Sequence, residues 1–135
     1  AIGTSHGAYK FKGEARLRFD ILEKVKEKLP DTPIVLHGAS SVIPRLVEMC
    51  NENGGNIPGA KGCPNEMLKQ AGENGVSKIN VDTDLRLAMT AQVRRVFNED
   101  PSIFDPRKYL GAARTEIKET VSDKINNVFC SANKA

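Results

Sequence analysis

The sequence has no tryptophan, two tyrosines and only two histidines. So few flat aromatic side chains, and no RNP-like run, argue against a reader of single-stranded nucleic acid. Charge of one sign is also scarce. The formal net charge is +3, and basic residues are interleaved with acids, as in Glu23-Lys24-Val25-Lys26-Glu27-Lys28. That is the pattern of a solvated helix face, not of a stripe that tracks phosphates. No nucleic-acid partner is therefore expected. No apolar run approaches the roughly 20 residues that span a bilayer, and no signal-peptide pattern is present. A membrane partner is not expected, and a cytoplasmic location is. The three cysteines, Cys50, Cys63 and Cys130, are odd in number and lack CxxC spacing, which reads as free thiols of a reducing compartment. Cys50 falls on the apolar side of an expected helix and reads as a small core residue. There is no initiating methionine. The chain opens at Ala1 inside a strand-like run, and the expectation is a piece of a longer polypeptide.

What is present is enough for one domain: 135 residues, 39% apolar and 27% charged. Between Glu14 and Leu29, the spacing of Leu17, Ile21, Leu22, Val25 and Leu29 predicts a helix, ended by Pro30-Asp31-Thr32-Pro33. Ile34-Val35-Leu36 predicts a short strand covered on both faces. A helix is expected from Pro44, with Leu46, Val47 and Cys50 inward, stopped by Gly54-Gly55. A loop over 56–63 comes next, then a short helix from Pro64 to Asn74 with Gly75 at its end. Val76 to Val81 predicts another strand. A helix with Leu87, Ala88, Ala91 and Val96 packed should then run to about Asn98. Residues 101–109 read as an irregular connector, and Ala112 to Phe129 as a last helix with Ile117, Val121, Ile125 and Val128 inward. Strand-helix alternation implies α/β architecture with a parallel sheet and right-handed crossovers. Three strands are too few to close a barrel.

The informative feature is the polar group at the end of each strand-like run. Ile2-Gly3-Thr4-Ser5-His6-Gly7 and Ile34-Val35-Leu36-His37-Gly38-Ala39-Ser40 each deliver an imidazole to a strand's end, with a glycine directly after it. Strand ends bearing polar groups are how a (β/α)₈ barrel builds an active site. His6 and His37 lie about 30 residues apart, the length of one βαβ unit. Neighbouring parallel strands put equivalent positions about 5 Å apart, so both imidazoles could reach one cation. A catalytic zinc usually takes three protein ligands, and the chain has two histidines. A lone histidine at a sheet end is more often just a satisfied polar residue. Two in one context put a shared ion on an equal footing with that bland reading. The glycine-containing loops permit backbone N–H groups to approach an anion, or simply allow tight turns. The third run, Asn80-Val81-Asp82-Thr83-Asp84-Leu85-Arg86, puts Asn80 and Asp82 on one face of a strand. A ligand would explain that placement, and so would a helix N-cap cluster of Asp82, Thr83 and Asp84. Both are expected, with one residue capping and the others facing a ligand. Lys10, Arg86 and Arg107 are candidate phosphate contacts.

Four blocks in order resemble the class II, metal-dependent fructose-1,6-bisphosphate aldolases: Ala1-Ile2-Gly3-Thr4-Ser5-His6-Gly7-Ala8-Tyr9-Lys10, Leu36-His37-Gly38-Ala39-Ser40-Ser41, Lys78-Ile79-Asn80-Val81-Asp82-Thr83-Asp84-Leu85-Arg86 and Phe104-Asp105-Pro106-Arg107-Lys108-Tyr109-Leu110-Gly111. The resemblance covers essentially the whole chain. It implies a single segment, residues 1–135, forming the C-terminal portion of a (β/α)₈ TIM barrel, about strands 6–8 with their helices. It implies aldol cleavage of fructose 1,6-bisphosphate to dihydroxyacetone phosphate and glyceraldehyde 3-phosphate in glycolysis, with tagatose bisphosphate as the alternative substrate and a non-catalytic phosphate-binding segment as the alternative role. By this resemblance His6 and His37 are two of three Zn²⁺ ligands. Gly7, Lys10, Gly38 and Ser40 hold one phosphate, near a monovalent cation (Na⁺ or K⁺). Asn80 stabilises the enediolate, Asp82 and Thr83 bind substrate beside it, and Arg86 and Arg107 contact the other phosphate, a contact that could cross a subunit boundary of a homodimer or homotetramer. The family's third histidine and its acid/base aspartate belong to an N-terminal portion that this sequence does not contain, so the chain alone is expected to be inactive.

Overall fold

A computed structural model of the chain describes residues 1–4 and 15–134. His6, Gly7 and Lys10 lie outside the described residues, and the expectations placed on them concern that segment.

The described residues alternate helix and strand. α1 is Phe19–Lys28, β1 Ile34–Leu36, α2 Pro44–Glu52, α3 Asn65–Glu73, β2 Val76–Ile79, α4 Thr83–Glu99 and α5 Pro106–Asp123, continued by a wider π-helical turn over Lys124–Val128. β1 and β2 pair in parallel, with Ile34 opposite Val76 and Leu36 opposite Ile79. The register slips by one residue after Ile34. Two helices, α2 and α3, lie in the crossover, as the pattern of apolar positions and glycine stops predicts.

Three departures from the sequence expectation have a clear physical reason. α1 starts at Phe19 rather than Glu14. Ala15 and Leu17 are buried while Arg16 and Arg18 are exposed. That alternation marks extended chain, and the Arg18 N–H donates to the Ile2 carbonyl at 2.9 Å. Leu17 is therefore a core residue without belonging to the helix. Ile21 and Leu29, expected inward, stay 36% and 50% exposed. α5 starts at Pro106 rather than Ala112. Asp105 caps it, accepting from the Arg107 N–H at 2.9 Å, and Pro106 occupies the first turn, where no backbone N–H is needed.

The third difference is the face that α5 buries. Ile117 is half-buried, but Val121 and Ile125 are largely exposed. The buried stripe is Ala113, Glu116, Thr120, Lys124 and Val128, a helical ladder in which polar groups occupy the middle. Two apolar clusters hold the rest. One joins Leu17, Leu22, Leu36, Leu68 and Val76 around the sheet. The other joins Leu46 and Cys50 of α2 to Leu87, Ala88 and Ala91 of α4. The alanines let α4 approach α2 closely, and truncating a residue such as Leu46, wholly buried here, typically costs about 2–5 kcal/mol.

Candidate active site

β1 and β2 end side by side, and the residues beyond their ends line one cavity of about 500 Å³, within the usual size range of small-molecule sites. His37, Gly38 and Ser40 come from the loop after β1. Asn80, Asp82, Thr83 and Arg86 come from the end of β2 and the start of α4. Val47, Ile57 and Leu87 form an apolar wall.

Strand register sets the first contact. Leu36 pairs with Ile79, so His37 and Asn80 leave the sheet at the same level. The Asn80 Nδ2 lies 3.3 Å from His37 Nδ1 and 3.4 Å from Nε2. Both side chains are exposed at the cavity mouth. The amide is thus a donor beside an imidazole, and both are accessible to a ligand.

The loop after β1 is unusual. Gly38 has φ +66°, a left-handed conformation that glycine adopts without strain. Val42 has φ +48°. For a β-branched residue this is a true outlier, costing on the order of 1–3 kcal/mol, and such strain persists only where surroundings enforce it. They do so from two sides. Ser40 Oγ donates to Thr83 Oγ1 at 3.2 Å, and Ser41 Oγ donates to Asp84 Oδ2 at 2.6 Å. From beneath, the Cys63 N–H donates to the Ser40 carbonyl at 2.8 Å. Gly62 lies so close that a Cβ there would overlap the Ser40 and Ser41 backbone. Burial pushes the Cys63 thiol up to about 11, which keeps it protonated and inert at neutral pH. Cys50 is likewise a buried, unpaired thiol in the core.

The N-terminus of α4 departs from the sequence expectation. Asp82 occupies the capping position but makes no side-chain cap bond. Its carboxylate accepts instead from Arg86 Nε at 2.9 Å. Asp84 does not cap either. It turns inward, fully buried, to Ser41.

Of the residues singled out from sequence, His37, Gly38, Ser40, Asn80, Asp82, Thr83 and Arg86 therefore share one cavity. Arg107 does not line it. It is 91% exposed on the first turn of α5, with Nη2 2.6 Å from Asp105. The guanidinium beside Asp105 holds that carboxyl below its ordinary range. Sequence reasoning missed Ser41 and Lys124, and read Asp84 as a cap or a ligand contact rather than as their buried partner. Lys124 and Asp84 are both buried, 3.3 Å apart. The available signal was the ladder of Glu116, Thr120 and Lys124 at four-residue steps, which reads as a solvated stripe unless α5 is known to pack by that face.

The sequence profile of the family described as fructose-bisphosphate aldolase class-II matches residues 1–134. The chain belongs to this family. A fructose-bisphosphate aldolase of Helicobacter pylori (strain ATCC 700392 / 26695) is 46% identical over 134 residues, covering 99% of this chain and 43% of that relative. One from Giardia intestinalis (strain ATCC 50803 / WB clone C6) is 50% identical over 137 residues, covering all of this chain and 42% of the relative. One from Thermus caldophilus is 48% identical over 135 residues, covering all of this chain and 44% of the relative. The chain spans somewhat under half the length of the curated aldolases it matches.

No helix among the described residues is long and apolar enough to cross a membrane. Nor do those residues group three or more metal-ligating side chains. His37 meets the requirement for one ligand of an ion, with an exposed imidazole at the end of a strand beside an open cavity.

Proposed function

We propose that this chain is the part of a class II aldolase that supplies the phosphate-facing and charge-stabilising side of the active site, and that the whole protein cleaves fructose 1,6-bisphosphate to two triose phosphates. The observation that carries this reading is one cavity receiving His37, Gly38 and Ser40 from one parallel strand end and Asn80, Asp82 and Thr83 from the next. In this reading residues 1–135 form one segment, about strands 6–8, of a (β/α)₈ barrel. Such barrels bind ligands at this end of their strands.

His37, with His6, would hold the family's divalent metal, taken here as Zn²⁺; when bound, such an ion polarises a carbonyl as a Lewis acid. The chain's own residues do the rest. The Asn80 amide offers an N–H where negative charge develops on the substrate's oxygens as the carbon–carbon bond breaks. Gly38 and Ser40 present the backbone and hydroxyl of a tight loop to one phosphate, with Gly7, Lys10 and a monovalent cation completing that pocket. Asp82 and Thr83 receive substrate hydroxyls. Arg86, at the cavity, and Arg107, exposed on α5 outside its lining, contact the second phosphate. The position of Arg107 suits a role in the cavity of a neighbouring copy within a homodimer or homotetramer. Phosphate contacts distant from the reacting carbons position the substrate for the chemical step. The acid/base carboxylate comes from the remainder of the protein. A cytoplasmic, glycolytic role accompanies this reading.

The test is an aldolase assay on the intact protein that carries this sequence, before and after exhaustive chelation. Cleavage that disappears on chelation and returns with Zn²⁺ is the expected result. Full activity in metal-free protein rejects the metal role. A larger kcat/KM on tagatose 1,6-bisphosphate would reassign the substrate, and phosphate binding without turnover would leave a non-catalytic module.

A further inference from the structure

Behind the cavity lies a buried cluster that the proposed chemistry does not use. Lys124 Nζ donates to Ser41 Oγ at 2.6 Å and to Asn65 Oδ1 at 2.7 Å, and stands 3.3 Å from Asp84 Oδ2. Ser41 Oγ donates onward to Asp84 Oδ2 at 2.6 Å, and the Ser41 N–H points at the same oxygen from 3.4 Å. Asp84 Oδ1 meets no donor among the described residues. Lys124, Ser41, Asp84 and Asn65 do not line the cavity, yet Ser41 sits between Ser40 and Val42, which do.

A buried ion pair is weak evidence for a gain in stability. Apolar replacements of a buried ion pair are often neutral or stabilising. What the cluster does is hold a strained segment. Val42, in its left-handed conformation, comes directly after the serine that Lys124 and Asp84 grip. Lys124 itself opens the π-helical turn that ends α5, and such widened turns often mark functional positions.

We propose that Lys124 is a positioning residue for the phosphate-facing loop Gly38–Val42. It acts twice. Through Ser41 it fixes the loop in the conformation that turns Ser40 toward the cavity. By neutralising Asp84 it also removes a buried negative charge from directly behind a loop meant to receive an anion. The second role is a consequence of Coulomb's law. An uncompensated carboxylate at this depth is weakly screened and repels a phosphate on the other side of the loop.

This inference rests on the phosphate-binding reading of the loop, and its test separates the two. In the intact protein, Lys124→Met should raise KM for fructose 1,6-bisphosphate and the inhibition constant of inorganic phosphate about tenfold, with kcat changed less than about threefold. Lys124→Met combined with Asp84→Asn should recover most of that loss, because the stranded charge is gone. Ser41→Ala should give an intermediate shift. Amide hydrogen exchange should quicken at residues 40–43 in Lys124→Met. Glu116→Gln is the control. It breaks the other buried polar cluster, in which Glu116 accepts from Arg45 and Gln92, and should lower Tm without moving KM. The proposal is overturned if Lys124→Met lowers Tm while KM, phosphate inhibition and exchange at 40–43 stay within about twofold of wild type. It is also overturned if the double variant is no better than the single. If the wild type cleaves no sugar bisphosphate, the aldolase reading fails while calorimetric binding of inorganic phosphate and amide exchange still decide this one. A wild type that also binds no phosphate overturns both.

Discussion

The side-chain nitrogen of Asn80 stands within 3.4 Å of both ring nitrogens of His37. Two residues 43 positions apart are brought together by strand pairing alone, because Leu36 and Ile79 are partners and each is succeeded by one polar residue. The pair sits at the mouth of the cavity, where it contributes little to packing.

Asn80 is therefore expected to matter for turnover and hardly at all for stability. In the intact protein, Asn80→Ala should lower kcat about 100-fold, the usual cost of removing one donor to a developing oxyanion. Its Tm should stay within about 2 °C of wild type, as for other exposed substitutions. Steady-state kinetics and a thermal melt check both. An unchanged kcat would remove Asn80 from the reaction.

Arg107 offers a cleaner separation of stability from binding. It is almost fully exposed, and its pair with Asp105 is a surface ion pair, a class worth about 0–1 kcal/mol. Arg107→Ala should leave Tm nearly unchanged while kcat/KM on the bisphosphate falls about 10- to 150-fold, the equivalent of one or two charge-assisted hydrogen bonds. If the arginine acts in a neighbouring copy, mixing Arg107→Ala with Asn80→Ala chains should produce hybrid sites of near-normal activity. No recovery on mixing would confine Arg107 to its own chain.

Glu116 gives a pH-dependent expectation. Its carboxyl is held below the ordinary value of 4.5, first by the hydrogen bond from Arg45 and also by Gln92, against the opposing effect of burial. The unfolded chain therefore takes up the proton first as the solution is acidified. The stabilisation is fully present above about pH 4.5 and is lost as pH falls through the lower, folded value. Wild type should melt higher than Glu116→Gln at pH 7, and the gap should close as pH falls below about 4.5. Melts across that range check it, and a gap independent of pH would mean that another group supplies the acid sensitivity.

Much of the element order and most of the residues that share the candidate cavity were legible in the sequence. Ile34-Val35-Leu36 is a short apolar run after Pro33, and Val76-Ser77-Lys78-Ile79 follows Gly75 with apolar residues at both ends; both form strands. The polar groups directly after them fall together because parallel pairing carries equal positions to equal heights. What was not legible is the part decided by tertiary packing. Leu17 repeats at a helical interval from Ile21, but its burial comes from extended chain held to Ile2. Val121 and Ile125 look like core positions. Even so, α5 buries the face of Glu116, Thr120 and Lys124 instead, where Arg45 and Gln92 meet Glu116, and Asp84, Ser41 and Asn65 meet Lys124. A one-dimensional apolar pattern carries no information about partners on other elements. Arg107 was singled out only through its motif, since nothing in its own surroundings separates it from a solvated surface side chain.

The contact between Ser41 and Lys124 bridges 83 positions of chain. During synthesis the ribosome makes the serine long before the lysine, at a rate of about 5–20 residues per second. For several seconds the nascent loop thus lacks its counter-charge. Its strained Val42 conformation is held only by the contacts with Gly62, Cys63, Thr83 and Asp84 until α5 emerges and docks. The loop's last contact is consequently a late folding event, and a nascent polypeptide halted before residue 124 should carry every cavity-lining side chain of this segment yet lack the support that Lys124 gives to Ser41.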